Sequence, residues 1–113
     1  MSVVSPFPGP RDRSPITHFD RIELMRIMDL YGRMVSAGHW RDYAIGHHPG
    51  YAVFAAFRRT AERPEIRIEK RPQLRMKQGL YALVSEHGDV LKRGQELGGV
   101  LAPLERRLMR LVG

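Results

Sequence analysis

The chain has no cysteine, and that absence removes disulfides, thiolate nucleophiles, iron–sulfur ligation and every zinc site built on cysteine. It fits a reducing compartment, so the expected location is cytoplasmic. No apolar run approaches the roughly 20 residues of a membrane span, and Met1 to Pro15 has neither a charged n-region nor an apolar h-region. No membrane partner is expected.

Reaction motifs are missing too. No GxSxG elbow holds any of the serines. The glycines at 94, 98 and 99 are not followed by the lysine and hydroxyl residue of a GxxxxGK[ST] phosphate loop, and there is no HExxH pair. His39, His47 and His48 are close in sequence, but His47 and His48 are adjacent in a predicted turn and only Asp42 lies near them as a carboxylate. Their spacing does not make a metal site. No catalytic residue, cofactor or metal is therefore predicted, and a binding role is expected in preference to an enzymatic one.

What the chain does have is positive charge. It carries 19 Lys and Arg against 12 Asp and Glu, a formal +7 over 113 residues. Eight of the cations lie between Arg58 and Lys77: Arg58, Arg59, Arg63, Arg67, Lys70, Arg71, Arg75 and Lys77. Only Glu62, Glu65 and Glu69 oppose them, so this stretch holds +5 of the total and favours anionic partners. GC-rich coding would give the same preference for arginine over lysine, so the net charge carries the argument rather than the residue type.

The layout predicts one domain. Residues 1–17, with Pro6, Pro8, Pro10 and Pro15 among serines, bury little and are expected to form a disordered tail; residues 18–113 form the domain. Asp20 is an N-cap with Glu23 as its capping-box partner, and Phe19 and Leu24 occupy the staple positions. Ile22, Met25, Met28, Leu30, Tyr31, Met34 and Val35 recur at helical spacing up to Gly38, which predicts a first helix near 20–37 with this stripe in the core.

Alternating segments follow at 40–45, 51–58, 65–71, 80–86 and 89–93, with Pro49-Gly50 suited to a type II turn and His87-Gly88 to a tight one. A last helix carries Leu97, Leu101, Leu104, Leu108 and Leu111 on one stripe and is expected to kink at Pro103. The expected fold is α+β: an antiparallel meander of four to five strands flanked by an N-terminal and a C-terminal helix.

Three stretches bear on function. The third strand alternates Ile66 and Ile68 against Arg67, Glu69 and Arg71, one dry face and one wet. The second and fourth are apolar on both sides, Val53, Ala55 and Phe57 against Phe54 and Ala56, and Leu80, Ala82 and Val84 against Tyr81 and Leu83. Both sides of the sheet centre therefore call for cover, from one helix on each side or from a second copy in a homodimer. Gly50 to Phe57 resembles the aromatic strand motif of RNA-recognition modules, but Pro49 and Ala56 stand at two of its required positions and the element order is not βαββαβ. Those aromatics are assigned to the core.

Four segments in order also resemble a known family. They are Tyr31 to Val35 running into Trp40 to Ile45, then Val53 to Arg59, then Arg67 to Pro72, then Val90 to Gly94. From Phe19 to about Leu111 the chain is similar to a family of short alphaproteobacterial proteins classed as a domain of unknown function. The resemblance implies a free-standing bacterial domain and carries over no activity, cofactor or catalytic residue.

Two partners fit. A cationic strand and loop made of Arg67, Lys70, Arg71, Arg75 and Lys77, with Arg58 and Arg59 at its edge, would bind nucleic acid or another polyanion. Alternatively the doubly apolar strands form an interface and the arginines meet an acidic protein partner. The bland alternative is cross-strand ion pairing that keeps an edge soluble.

Overall fold

The computed structural model describes residues 14–59 and 62–112, so the predicted tail up to residue 13 lies outside the described residues. Helix α1 (Arg21–Ser36) is followed by strands β1 (Asp42–His48), β2 (Tyr51–Phe57) and β3 (Ile66–Lys70). A single 3₁₀ turn at Pro72–Leu74 then leads to β4 (Tyr81–Ser85), β5 (Val90–Gly94) and helix α2 (Leu97–Val112). The five strands form one antiparallel sheet in the order β1-β2-β3-β4-β5, a meander with a helix at each end of the chain.

Helix α1 starts as its sequence dictates. Asp20 caps the Glu23 amide at 2.8 Å while Glu23 Oε1 accepts the Asp20 amide at 2.7 Å, the reciprocal bonds of a capping box. It ends in a Schellman arrangement, with Gly38 at φ 84 and the His39 amide bonded to the Met34 carbonyl at 2.9 Å. The buried stripe is Glu23, Ile27, Leu30 and Met34, whereas Ile22 and Met25, expected inside, are 70% and 62% exposed. Spacings of four, three and four keep Glu23 on the inward line and turn Ile22 and Met25 away from it.

Strand β1 begins later and runs further than expected, through His48. Gly46 permits this, because a Cβ there would lie 2.5 Å from His48 Nε2, so the missing side chain is where the imidazole folds. Only Pro49-Gly50 remains as the turn, with Gly50 at φ 81 as a type II turn requires and His48 opposite Tyr51. Pro15 to Thr17, assigned from sequence to the tail, lie against this turn: Thr17 donates to the His48 carbonyl and Gly50 to the Pro15 carbonyl.

Both helices cover the same side of the sheet. Ile27, Leu30 and Met34 of α1, and Leu97, Val100, Leu101 and Leu104 of α2, share one core with Phe54, Ile66, Ile68 and Leu83. Each such side chain contributes about 1.5–3 kcal/mol by leaving water. The helices run in the same direction, since Arg26 lies beside Gly98 and Arg33 pairs with Glu105, seven positions on in both. Helix α2 passes through Pro103 without a break; the missing side chain at Gly99 leaves open space one turn back, where the ring needs room.

Among the described residues, no helix covers the other side of the sheet. By alternation it carries Val53, Ala55 and Phe57 of β2, Arg67 and Glu69 of β3, and Ala82 and Val84 of β4. The expectation that this side must be covered by a helix or a second copy is corrected by β4. Ala82 and Val84 are only 1% and 3% exposed within a single chain. Their neighbours across the register are Glu69 and Arg67 on β3, and Arg93 on β5, whose aliphatic stems are long enough to cover small apolar residues.

Candidate functional site

Arg67 and Arg71 of the cationic stretch lie on this open side, and the sheet register places them. One row across the strands reads Gly46, Val53, Glu69, Ala82, Arg93, and the next reads Ala44, Ala55, Arg67, Val84, Val90. Arg71 follows β3 directly, beside Tyr51.

Glu69 sits at the centre, its side chain 13% exposed, between two arginines. Its Oε2 accepts from Arg67 Nε at 3.5 Å and its Oε1 from Arg71 Nε at 3.2 Å. The Arg71 guanidinium also lies 4.5 Å from the centre of the Tyr51 ring, a cation–π contact. On the neighbouring strand His48 stacks on the same ring at 4.7 Å and 23°. With β1 on one side of Tyr51 and β3 on the other, imidazole and guanidinium occupy the two faces of the phenol, so the ring is a spacer that holds Arg71 upright. Tyr51 and Phe57, assigned from sequence to the core, stand half-buried on this open side, and Phe54 alone of that strand's aromatics points into the core.

The seven predicted anion-binding residues do not form one surface. Lys70 is withdrawn: its Nζ donates to Glu23 Oε1 at 2.8 Å and to the His18 carbonyl at 2.9 Å, with its side chain 13% exposed on the helix side. It has the strand parity of Ile66 and Ile68, and a buried ammonium needs a carboxylate partner. Arg58 and Arg59 lie past the end of β2 and are ion-paired there, Arg58 with Glu65 and Glu86 at 3.4 Å each and Arg59 with Glu62 at 3.3 Å. Six residues of extended chain, roughly 20 Å, separate that end from Tyr51 and Arg71. Arg75 and Lys77 ride exposed on the loop after the 3₁₀ turn and meet no carboxylate within 4.0 Å among the described residues.

Arg93 was missing from the predicted set. It shares the open side with Arg67 and Arg71, and its Nη1 is buried with no hydrogen-bond partner among the described residues. The signal for it is the register of β5, which depends on a bulge between Leu83 and Val84 that no composition pattern announces.

Two other polar clusters are structural. Glu23 also accepts the Tyr81 hydroxyl, and burial together with that carboxylate pushes the phenol well above its ordinary range. At the far end, Glu65 accepts the indole N–H of buried Trp40 at 2.6 Å and both Arg107 nitrogens at 3.0 and 3.3 Å. Burial alone would raise Glu65, but those hydrogen bonds and the charges of Arg107 and Arg58 outweigh it and hold it below the usual carboxylate range. Arg107 Nη2 lies 2.8 Å from His39 Nδ1, so burial and the adjacent guanidinium lower the His39 pKa below 6.5, against a weaker opposite pull from Glu65.

That cluster makes stability depend on pH. With its folded pKa depressed, His39 binds its proton more readily in the unfolded chain, so its contribution is complete above about 6.5 and is lost as pH falls through the folded value. Glu65 adds a second loss below about 4.5. The thermal midpoint is expected to drop as pH falls from about 7.5 to about 5.5. In His39→Asn that drop should shrink while the decline below pH 4.5 persists; an unchanged profile would remove His39 as the cause.

Among the described residues no group of three His, Asp or Glu side chains gathers as metal ligands, and no helix is long and apolar enough to cross a membrane. A groove of about 450 Å³ lies between the helices, flanked by Arg26, Asp29, Arg33 and Glu105. Arg33 forks onto Glu105 at 2.6 and 3.0 Å across it, so its charges satisfy each other.

Comparison with known families decides the chain's relations. The model of the family described as "Protein of unknown function (DUF2794)" matches residues 17–101, well over half of the chain. The chain belongs to this family. The match runs from the segment beside the β1–β2 turn through Leu101 of α2, so the DUF2794 region contains the whole sheet and every arginine of its open side. No curated protein and no solved structure matches the chain.

Proposed function

We propose that this protein is a non-enzymatic, cytoplasmic binding module that holds a polyanion, nucleic acid foremost, against the open side of its sheet. The observation that carries the proposal is the charge imbalance there. Arg67 and Arg71 flank one carboxylate, Glu69, Arg93 stands two strands away in the same row, and the adjoining loop adds Arg75 and Lys77 with no acidic partner within 4.0 Å among the described residues. Because both faces of Tyr51 are occupied by His48 and Arg71, stacked bases are not what this surface is built to hold. The expected contacts are to phosphates, insensitive to sequence and sensitive to salt.

The test compares duplex DNA, single-stranded RNA and heparin at matched ionic strength. Binding of all three with modest preference among them is the expected result. No binding to any at 50 mM salt would overturn the proposal.

A second reading has its own observation. The outer strand β1 is seven residues long and exposes Tyr43 and Ile45 at 42% and 38%, with no lysine or bulge. The opposite edge β5 carries both a bulge and Lys92, the usual guards against edge pairing. A protein partner or second copy adding a strand to β1 would use it, and light scattering on the full chain separates the two: a monomer that binds polyanions favours the first reading, a dimer indifferent to them the second.

A further inference from the structure

The open side combines an orphaned guanidinium nitrogen with two arginines that spend only one donor each on their shared carboxylate. Arg67 and Arg71 reach Glu69 through Nε alone, so the terminal nitrogens of both remain available. Arg71 is held by the Tyr51 ring at 4.5 Å, and that ring is backed by His48, whose imidazole is seated where Gly46 has no side chain. Two strands from Glu69 in the same row, Arg93 keeps Nη1 buried with no acceptor among the described residues. Between them Ala82, 1% exposed, forms an apolar floor. A buried guanidinium N–H without an acceptor is costly and rare, and three guanidinium groups against one carboxylate leave a local charge of +2.

We propose that Arg67, Arg71 and Arg93 form a phosphate subsite on the open side of the sheet, with Glu69 as the internal carboxylate that sets the pitch of the two β3 arginines. The subsite deepens the polyanion reading and rests on it for its biological ligand. Phosphate is the oxyanion that fits: it carries nearly two negative charges as a terminal group, and its oxygens match the planar donor fork of arginine bidentately. A lysine in the same place would supply charge without that fork. Glu69 would exclude a ligand of low charge, since a single carboxylate would displace it without gain.

The experiment titrates inorganic pyrophosphate into the full-length, ¹⁵N-labelled chain at constant ionic strength, with chloride as the reference anion, and follows the arginine Nε–Hε resonances. Saturable shifts at Arg67, Arg71 and Arg93, with Arg58 and Arg59 unmoved, are expected. Arg93→Gln should weaken pyrophosphate binding about tenfold or more. Arg67→Lys should weaken it several-fold despite the retained charge, which keeps the test open should Arg93→Gln fail to fold. Shifts spread evenly over all arginines, or undiminished binding in Arg93→Gln, would overturn the subsite. An oligonucleotide bound equally by the native chain and Arg93→Gln would sink the subsite and leave the polyanion reading standing. Saturable pyrophosphate binding without any oligonucleotide binding would keep the subsite and end that reading.

Discussion

Glu23→Ala should lower the free energy of unfolding by about 3–5 kcal/mol, the range for removing one partner of a buried ion pair. Glu23 is 6% exposed and serves three donors. It accepts the Asp20 amide as half of the capping box, the Lys70 ammonium at 2.8 Å and the Tyr81 hydroxyl. Its loss strands a Lys70 side chain that is 13% exposed and retains only the His18 carbonyl. Asp20→Ala, which deletes a single cap bond to an amide, should cost only about 1 kcal/mol. Adding Lys70→Met to Glu23→Ala should recover part of the loss, because no bare ammonium then remains inside. Urea unfolding of the four chains checks this, and a Glu23→Ala loss no larger than that of Asp20→Ala would show that Lys70 escapes to solvent at little cost.

Gly79→Ala should be nearly as damaging, about 2–4 kcal/mol, for two reasons that add. Its φ of 118 lies where L side chains are strained. A Cβ there would also stand 3.0 Å from the N, Cα and C atoms of Gly94, a backbone that cannot step aside without unpairing β4 from β5. Gly38→Ala isolates the first reason: Gly38 has φ 84 and open space around its Cβ direction, so roughly 1 kcal/mol is expected. Equal losses at the two positions would mean that the contact with Gly94 is soft. The close approach matters to the site, because Gly94 follows Arg93 and positions it.

Much of the fold was legible because local signals agreed with one another. The capping box at Asp20 and Glu23, the stop at Gly38 and the turns at Pro49-Gly50 and His87-Gly88 each rest on short-range chemistry, and the elements they bound formed in the expected order, with β1 alone shifted toward its turn. Errors arose where one residue had to be assigned to a face. Ile22 and Met25 were placed in the core by hydrophobicity, yet Glu23 took the inward position because Lys70 and Tyr81 supply its partners from another part of the chain. Lys70 itself was grouped with its basic neighbours although the Ile66, Ile68, Lys70 alternation already placed it on the dry side.

The candidate site was legible only in part for the same reason. Charge clustering in sequence located Arg67 and Arg71, but the ion pairs that silence Arg58 and Arg59 come from Glu62, Glu65 and Glu86 and needed the packed ends of the sheet. Arg93 became visible only through the β4–β5 register and its bulge. The two-sided apolar character of β4 pointed to a missing layer of protein, whereas Ala82 and Val84 are already buried within the single chain, with Glu69, Arg67 and Arg93 beside them in the register.

The salt dependence of single-stranded RNA binding, measured by fluorescence anisotropy between 50 and 200 mM salt, tests most directly whether the open side holds a polyanion. If Arg67, Arg71, Arg93, Arg75 and Lys77 each neutralise a phosphate, log affinity should fall against log salt with a slope near −3.5, and near −2 in Arg67→Gln/Arg71→Gln, at about 0.7 per contact. Equal slopes for the two chains, with the double variant still folded by circular dichroism, would place the binding elsewhere and contradict the role assigned to this surface.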